Sequence, residues 1–150
     1  YALDFSPCAI DTINKRSKKL GLDKFITAEV FDVRKDFVFI EKNFDGCYSH
    51  MLYCMALTEN ELEKLNKKIK NKLKKNGINI YTVRNTLDSD FQNGSHIGEG
   101  LYEMNGFIVH FFSDEKINKL LNGYKNLEII RFEEGNFPRR LSMVINQKTS

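Results

Sequence analysis

A carboxylate that closes a short apolar run is placed to grip a sugar. Asp4 ends the run over residues 1–5, and a carboxylate at the carboxyl end of a strand can accept hydrogen bonds from both hydroxyls of a ribose. Each such charge-assisted bond is worth about 1.5–3 kcal/mol net. The alternative for Asp4 is a helix-capping acid. Asp32 stands in the same relation to the run over 25–33; with Asp36 nearby, its alternative is an exposed loop acid. His50 follows the apolar run over 44–49 and could take a proton from a bound acceptor. His96 and His110 read as a surface and a core histidine. Arg84, Glu99 and Glu103 flank a glycine-punctuated stretch and could orient a polar acceptor, each with a structural ion pair as its alternative. Tyr102, Phe107, Phe111 and Phe112 could wall a pocket or pack on a sheet.

The elements that would carry these residues alternate. Ser6 offers an N-cap hydroxyl and Pro7 suits the first helical position. Ile10, Ile13 and Leu20 then share one helix face, up to Gly21. Residues 25–33 and 44–49 read as strands. Thr58 and Glu61 form a capping box, and Leu62, Leu65, Ile69 and Leu73 repeat at helical spacing as far as Gly77. Residues 78–84 read as a strand, and 85–106 as an irregular flap with four glycines. Ser113 opens a third helix over Ile117, Leu120 and Leu121, ended by Gly123. Strands over 127–132 and 141–146 close the chain. Only about eight residues join them, too few for a parallel crossover, so they should pair antiparallel.

Composition narrows the class. The 150 residues, 41% hydrophobic and 29% charged, are those of one globular domain spanning 1–150. A net charge of +3 is too mild to argue for nucleic acid, and the lysines clustered over 64–75 read as a solvated helix face. Three cysteines without CxxC spacing suggest neither a disulfide framework nor a zinc site and fit a reducing cytoplasm. No apolar run is long enough to span a membrane. No metal ligand set is evident.

Strands alternating with helices imply an α/β fold with a mostly parallel Rossmann-like sheet, here closed by a C-terminal antiparallel strand. That closing pair separates the chain from nicotinamide-binding oxidoreductases, whose strands stay parallel. Ala2-Leu3-Asp4-Phe5-Ser6-Pro7 resembles the second strand of class I methyltransferases that depend on S-adenosylmethionine (SAM). Val30-Phe31-Asp32-Val33 resembles the next strand end of that family, and Phe44-Asp45-Gly46-Cys47-Tyr48-Ser49 its fourth strand. Leu73-Lys74-Lys75-Asn76-Gly77 stands where the family has a Leu-Lys-Pro-Gly-Gly turn. The likeness runs through nearly the whole chain and is closest to tellurite-resistance-like and other small-molecule methyltransferases.

The resemblance implies SAM as cofactor, held by Asp4, Phe5, Asp32, Val33 and Ser49. His50 would lie beside the reactive methyl, and Arg84 and Glu103 would bind a small-molecule methyl acceptor. The family's first strand and glycine-rich loop would precede Tyr1. The resemblance therefore implies a sheet lacking its central N-terminal strand and weak SAM binding by this chain alone. The vacant place would be filled by a strand from another copy, as in a homo-oligomer, or by a separate segment, rather than by direct pairing of residues 1–5 with 44–49. The competing reading is a non-catalytic remnant that serves as an interaction module.

Overall fold

A computed structural model describes residues 1–37 and 43–149. The chain forms two compact units, Tyr1–Ile40 and Glu41–Ser150. In the first, β1 (Ala2–Asp4) leads into α1 (Pro7–Lys19) and then β2 (Ala28–Val30). The helix starts where its sequence says it must. Ser6 is extended at φ −83° and its hydroxyl accepts from the Ala9 amide at 3.3 Å, with Pro7 immediately following. Ile10 is buried and Ile13 half-buried, but Leu20 is the C-cap and is exposed. The expected strand over 25–33 shrinks to three residues. Backbone amides of Phe25 and Ile26 both turn back to the Leu22 carbonyl, which keeps Phe25 out of any ladder. β1 and β2 pair in parallel, Asp4 opposite Val30.

The second unit holds β3 (Phe44–His50), a single 3₁₀ turn at Leu52–Cys54, α2 (Glu59–Lys72), β4 (Leu73–Arg84), β5 (Ser95–Gly98), β6 (Leu101–Met104), β7 (Phe107–His110), α3 (Asp114–Lys119), β8 (Tyr124–Glu134) and β9 (Arg139–Lys148). The capping box forms as written: Glu61 N donates to the Thr58 hydroxyl at 3.2 Å, and Thr58 N donates to the Glu61 carboxylate at 2.9 Å. Thr58→Ala is expected to lower stability by about 1 kcal/mol, visible as a lower denaturation midpoint with unchanged slope. Leu62, Leu65 and Ile69 face inward from α2, each contributing about 1.5–3 kcal/mol by its burial. The helix does not run on to Gly77. It stops at Lys72, and Leu73 already pairs with Phe44 as the first residue of β4. Asn76 takes a left-handed φ of 63°, and a Cβ on Gly77 would come within 2.9 Å of the Lys74 carbonyl oxygen. That tight bend belongs to the strand.

Two expectations about the sheet are corrected. The strands are mixed rather than mostly parallel: four run in the order β3-β4-β9-β8, with β3 and β4 parallel and β9 antiparallel to both its neighbours. The β8–β9 pair is antiparallel as its short connection requires. The flap is not irregular, because β5, β6 and β7 form an antiparallel meander. Its turns are made where φ is positive, at Glu99 and Gly100 and again at Asn105 and Gly106. Among the described residues β1 has only β2 as a ladder partner, and β3 only β4. No described helix is long and apolar enough to cross a membrane.

Candidate functional site

In a parallel pair both carboxyl ends lie on one side, and ligands of open α/β sheets bind there. In the first unit that side carries Asp4 and Phe5 after β1, and Phe31, Asp32 and Val33 after β2. The Phe31 amide donates to the Asp4 carbonyl at 2.9 Å and draws the two strand ends together. Asp4 is exposed. Its Oδ1 accepts from the Ser6 amide at 2.7 Å, while its Oδ2 makes no bond among the described residues. Asp4 thus braces the entry to α1 through Oδ1 alone. Phe5 is 70% exposed. Asp32 accepts from the Arg34 backbone amide at 3.0 Å and from its guanidinium at 2.9 Å, and this contact holds its carboxyl below the usual range. Val33 is half-buried.

In the second unit the carboxyl ends of β3 and β4 carry Ser49, His50 and Arg84. Ser49 is buried, its hydroxyl 4.0 Å from the Cys47 sulfur. His50 is exposed. Its Nδ1 lies 3.0 Å from the Thr82 hydroxyl on the paired strand, and its Nε2 lies 3.4 Å from a Glu134 carboxylate oxygen at the end of β8. Met51, next in the chain, sits at φ 50°, and its amide donates to both the carbonyl and the hydroxyl of Thr82. A left-handed non-glycine residue at a strand end is strained backbone of the kind found at binding sites. Thr82 and Glu134 went unnoticed in the sequence. Neither has a local signature, because each reaches His50 only through strand pairing.

Arg84 and Glu103 each carry structural contacts. Arg84 is buried, and its guanidinium donates to Asp88 at 2.5 and 3.2 Å and to Asp90 at 2.6 Å, lying 5.1 Å from the Phe111 ring centroid. Burial works against its charge, yet the two carboxylates raise its pKa. It anchors the flap. Glu103 accepts from the Gly106 amide at 2.6 Å and closes the β6–β7 turn. Glu99 accepts from the Glu59 amide at the start of α2 at 2.6 Å. The His96 ring lies tilted against Tyr102, with centroids 4.8 Å apart.

Beneath the meander lies a cavity of about 280 Å³ whose walls include Phe91, Tyr102 and Phe111, with Glu59, Lys116 and Ser113 as polar groups. Of the four aromatics expected there, Tyr102 and Phe111 line it. Phe112 is buried elsewhere in the core and Phe107 is 76% exposed. His110 behaves as a core histidine. Its Nδ1 is 2.8 Å from the Leu57 carbonyl oxygen, and the Lys116 ammonium, which pairs with Glu59 at 3.0 Å, donates to its Nε2. Burial and then Lys116 push its pKa below the ordinary 6.5. The unfolded chain therefore binds this proton more readily than the folded one, so stability present above about pH 6.5 is lost as pH falls below it. The melting temperature should drop through that window, and the dependence should flatten in His110→Asn. Among the described residues no group of three or more His, Cys, Asp or Glu side chains is placed to hold a metal ion.

No family model and no curated protein matches the chain. Solved structures do. The N-methyltransferase NodS from Bradyrhizobium japonicum, crystallised with S-adenosyl-L-homocysteine (SAH), aligns over 99% of this chain at 10% identity and a TM-score of 0.73. A SAM-dependent methyltransferase from Methanosarcina mazei aligns over 98% at 17% identity and 0.76. TehB from Haemophilus influenzae aligns over 98% at 15% identity and 0.68. This chain spans 65% of NodS, 80% of the Methanosarcina protein and 49% of TehB. It has the α/β fold of SAM-dependent methyltransferases.

Proposed function

We propose that this chain is a methyltransferase domain that uses SAM to methylate a small-molecule acceptor by in-line displacement. The observation that carries the reading is the alignment of 98–99% of the chain, including its closing antiparallel hairpin, with SAM-dependent methyltransferases, one of them holding SAH. The chain's own residues fit the cofactor's chemistry. Asp4 and Asp32 offer carboxylates at neighbouring carboxyl strand ends for the ribose hydroxyls and the adenine amino group, with Phe5 and Val33 as apolar neighbours. In the second unit Ser49 and His50 stand at the carboxyl end of β3, the strand that resembles the fourth strand of the family.

SAM, when bound, supplies an electrophilic methyl on a sulfonium whose charge is cancelled as the group leaves. The protein then needs proximity, alignment and, for acceptors that lose a proton, a base. His50 is that base. Its Nδ1 donates to the Thr82 hydroxyl, which leaves Nε2 to take the proton, and the 3.4 Å contact of Nε2 with the Glu134 carboxylate gives way to the acceptor. Arg84 positions the flap through Asp88 and Asp90, and Glu103 shapes its turn.

Transfer of an isotopically labelled methyl from SAM into a pool of small metabolites tests this. Labelled product should appear, and His50→Ala should slow it about a hundredfold or more without changing SAH binding. SAH binding with no labelled product from any pool would favour the non-catalytic interaction module.

A further inference from the structure

The lysines of α2 form a feature that methyl transfer does not use. Lys64, Lys67 and Lys70 recur at every third position and so lie along one ridge of the helix. At 1.5 Å per residue the ridge climbs about 9 Å from first to last. Opposite it, α3 and the turn after it contribute Lys119 and Asn122. Between the two walls runs a groove of about 340 Å³, lined by these four lysines with Asn60 and a single carboxylate, Glu63. The Lys70 side chain is drawn across Gly123, which sits at φ +79°, so closely that a Cβ there would overlap its ammonium.

Among the residues lining the groove, Glu63 is the one acid set against this charge. Among the described residues Lys64, Lys67 and Lys70 form no ion pair, and Lys119 reaches only Glu115 at 3.8 Å. Like charges on neighbouring turns of a helix repel, each pair costing a few tenths of a kcal/mol, or about as much as an opposite pair gains.

We propose that this groove is a second ligand site, which binds a small molecule bearing a chain of two or three phosphates. Lysine suits such a ligand, because its flexible stem carries a compact charge that needs no planar partner. A ridge of about 9 Å matches a short polyphosphate. Duplex nucleic acid is typically held through 6–10 phosphate contacts, more than four lysines offer. The amides of Asn60 and Asn122 add hydrogen-bonding capacity at the rim. An occupant would remove the repulsion along α2 and so stabilise the helix.

Calorimetric titration of the chain with sodium tripolyphosphate at low ionic strength tests the site, with inorganic phosphate and sulfate as single-anion comparisons. Saturable binding is expected, at least tenfold tighter for tripolyphosphate than for either comparison. Lys64→Gln with Lys67→Gln should weaken it at least tenfold, while Lys15→Gln with Lys18→Gln on α1 should leave it unchanged. All four positions are exposed, and circular dichroism checks that both variants fold. Absence of binding, or equal weakening by the two pairs, would overturn the proposal. So would a single-stranded oligonucleotide that binds and is not displaced by tripolyphosphate, which would make the groove a nucleic-acid surface.

Discussion

Asp88→Ala should remove about 3–5 kcal/mol of folding stability. Asp88 is wholly buried at its side chain and takes four hydrogen bonds: two from the Arg84 guanidinium, one from the Asp90 amide at 2.9 Å and one from the Arg140 amide at 2.8 Å. Its removal strands the Arg84 charge in the interior with only Asp90, itself half-exposed, as partner. It also unties the start of the flap from β9. For a chain of this size the loss corresponds to a melting temperature lower by on the order of 10 °C. Burial works against the Asp88 charge, but the bonds from Arg84 and the two amides outweigh it and hold its pKa below the ordinary 3.8. Its contribution is therefore complete above that value and disappears as pH falls through the lower, folded-state one. Calorimetry across that acid range should find Asp88→Ala and the parent converging.

Asp4→Asn separates the brace that Asp4 forms from the ribose contact proposed for it. The asparagine keeps a carbonyl oxygen for the Ser6 amide, so the entry to α1 and the melting temperature should hold. It loses the charge that a ribose would meet, and SAM affinity should fall by about 1.5–3 kcal/mol, roughly ten- to a hundredfold. Unchanged affinity in Asp4→Asn, with Asp4→Ala lowering only stability, would reduce Asp4 to a helix brace.

What could be read from the sequence was what local chemistry decides. Ser6 with Pro7, Thr58 with Glu61, and Ser113 all cap helices where their types predict, because a cap needs only its own next three residues. The antiparallel closing hairpin followed from the length of its connection. The boundary at Lys72 did not, since Leu73 fits a helical stripe as well as a strand, and only pairing with Phe44 decides between them. The flap strands were hidden by their glycines, which turned out to mark the turns of a meander. Arg84 was visible as a candidate, but its commitment to Asp88 and Asp90 depends on how the chain folds back after β4. Glu134 was invisible for the same reason, being far from His50 in the chain and adjacent only once the ends of β3 and β8 meet in the fold.

Saturation-transfer NMR, which registers even weak binding, tests the central claim most directly. With SAH as ligand, the adenosine protons should receive saturation from the protein, SAM should compete, and Asp4→Asn should abolish most of the signal. Equal saturation of NAD, or none of SAH at concentrations where the protein is folded, would contradict the account.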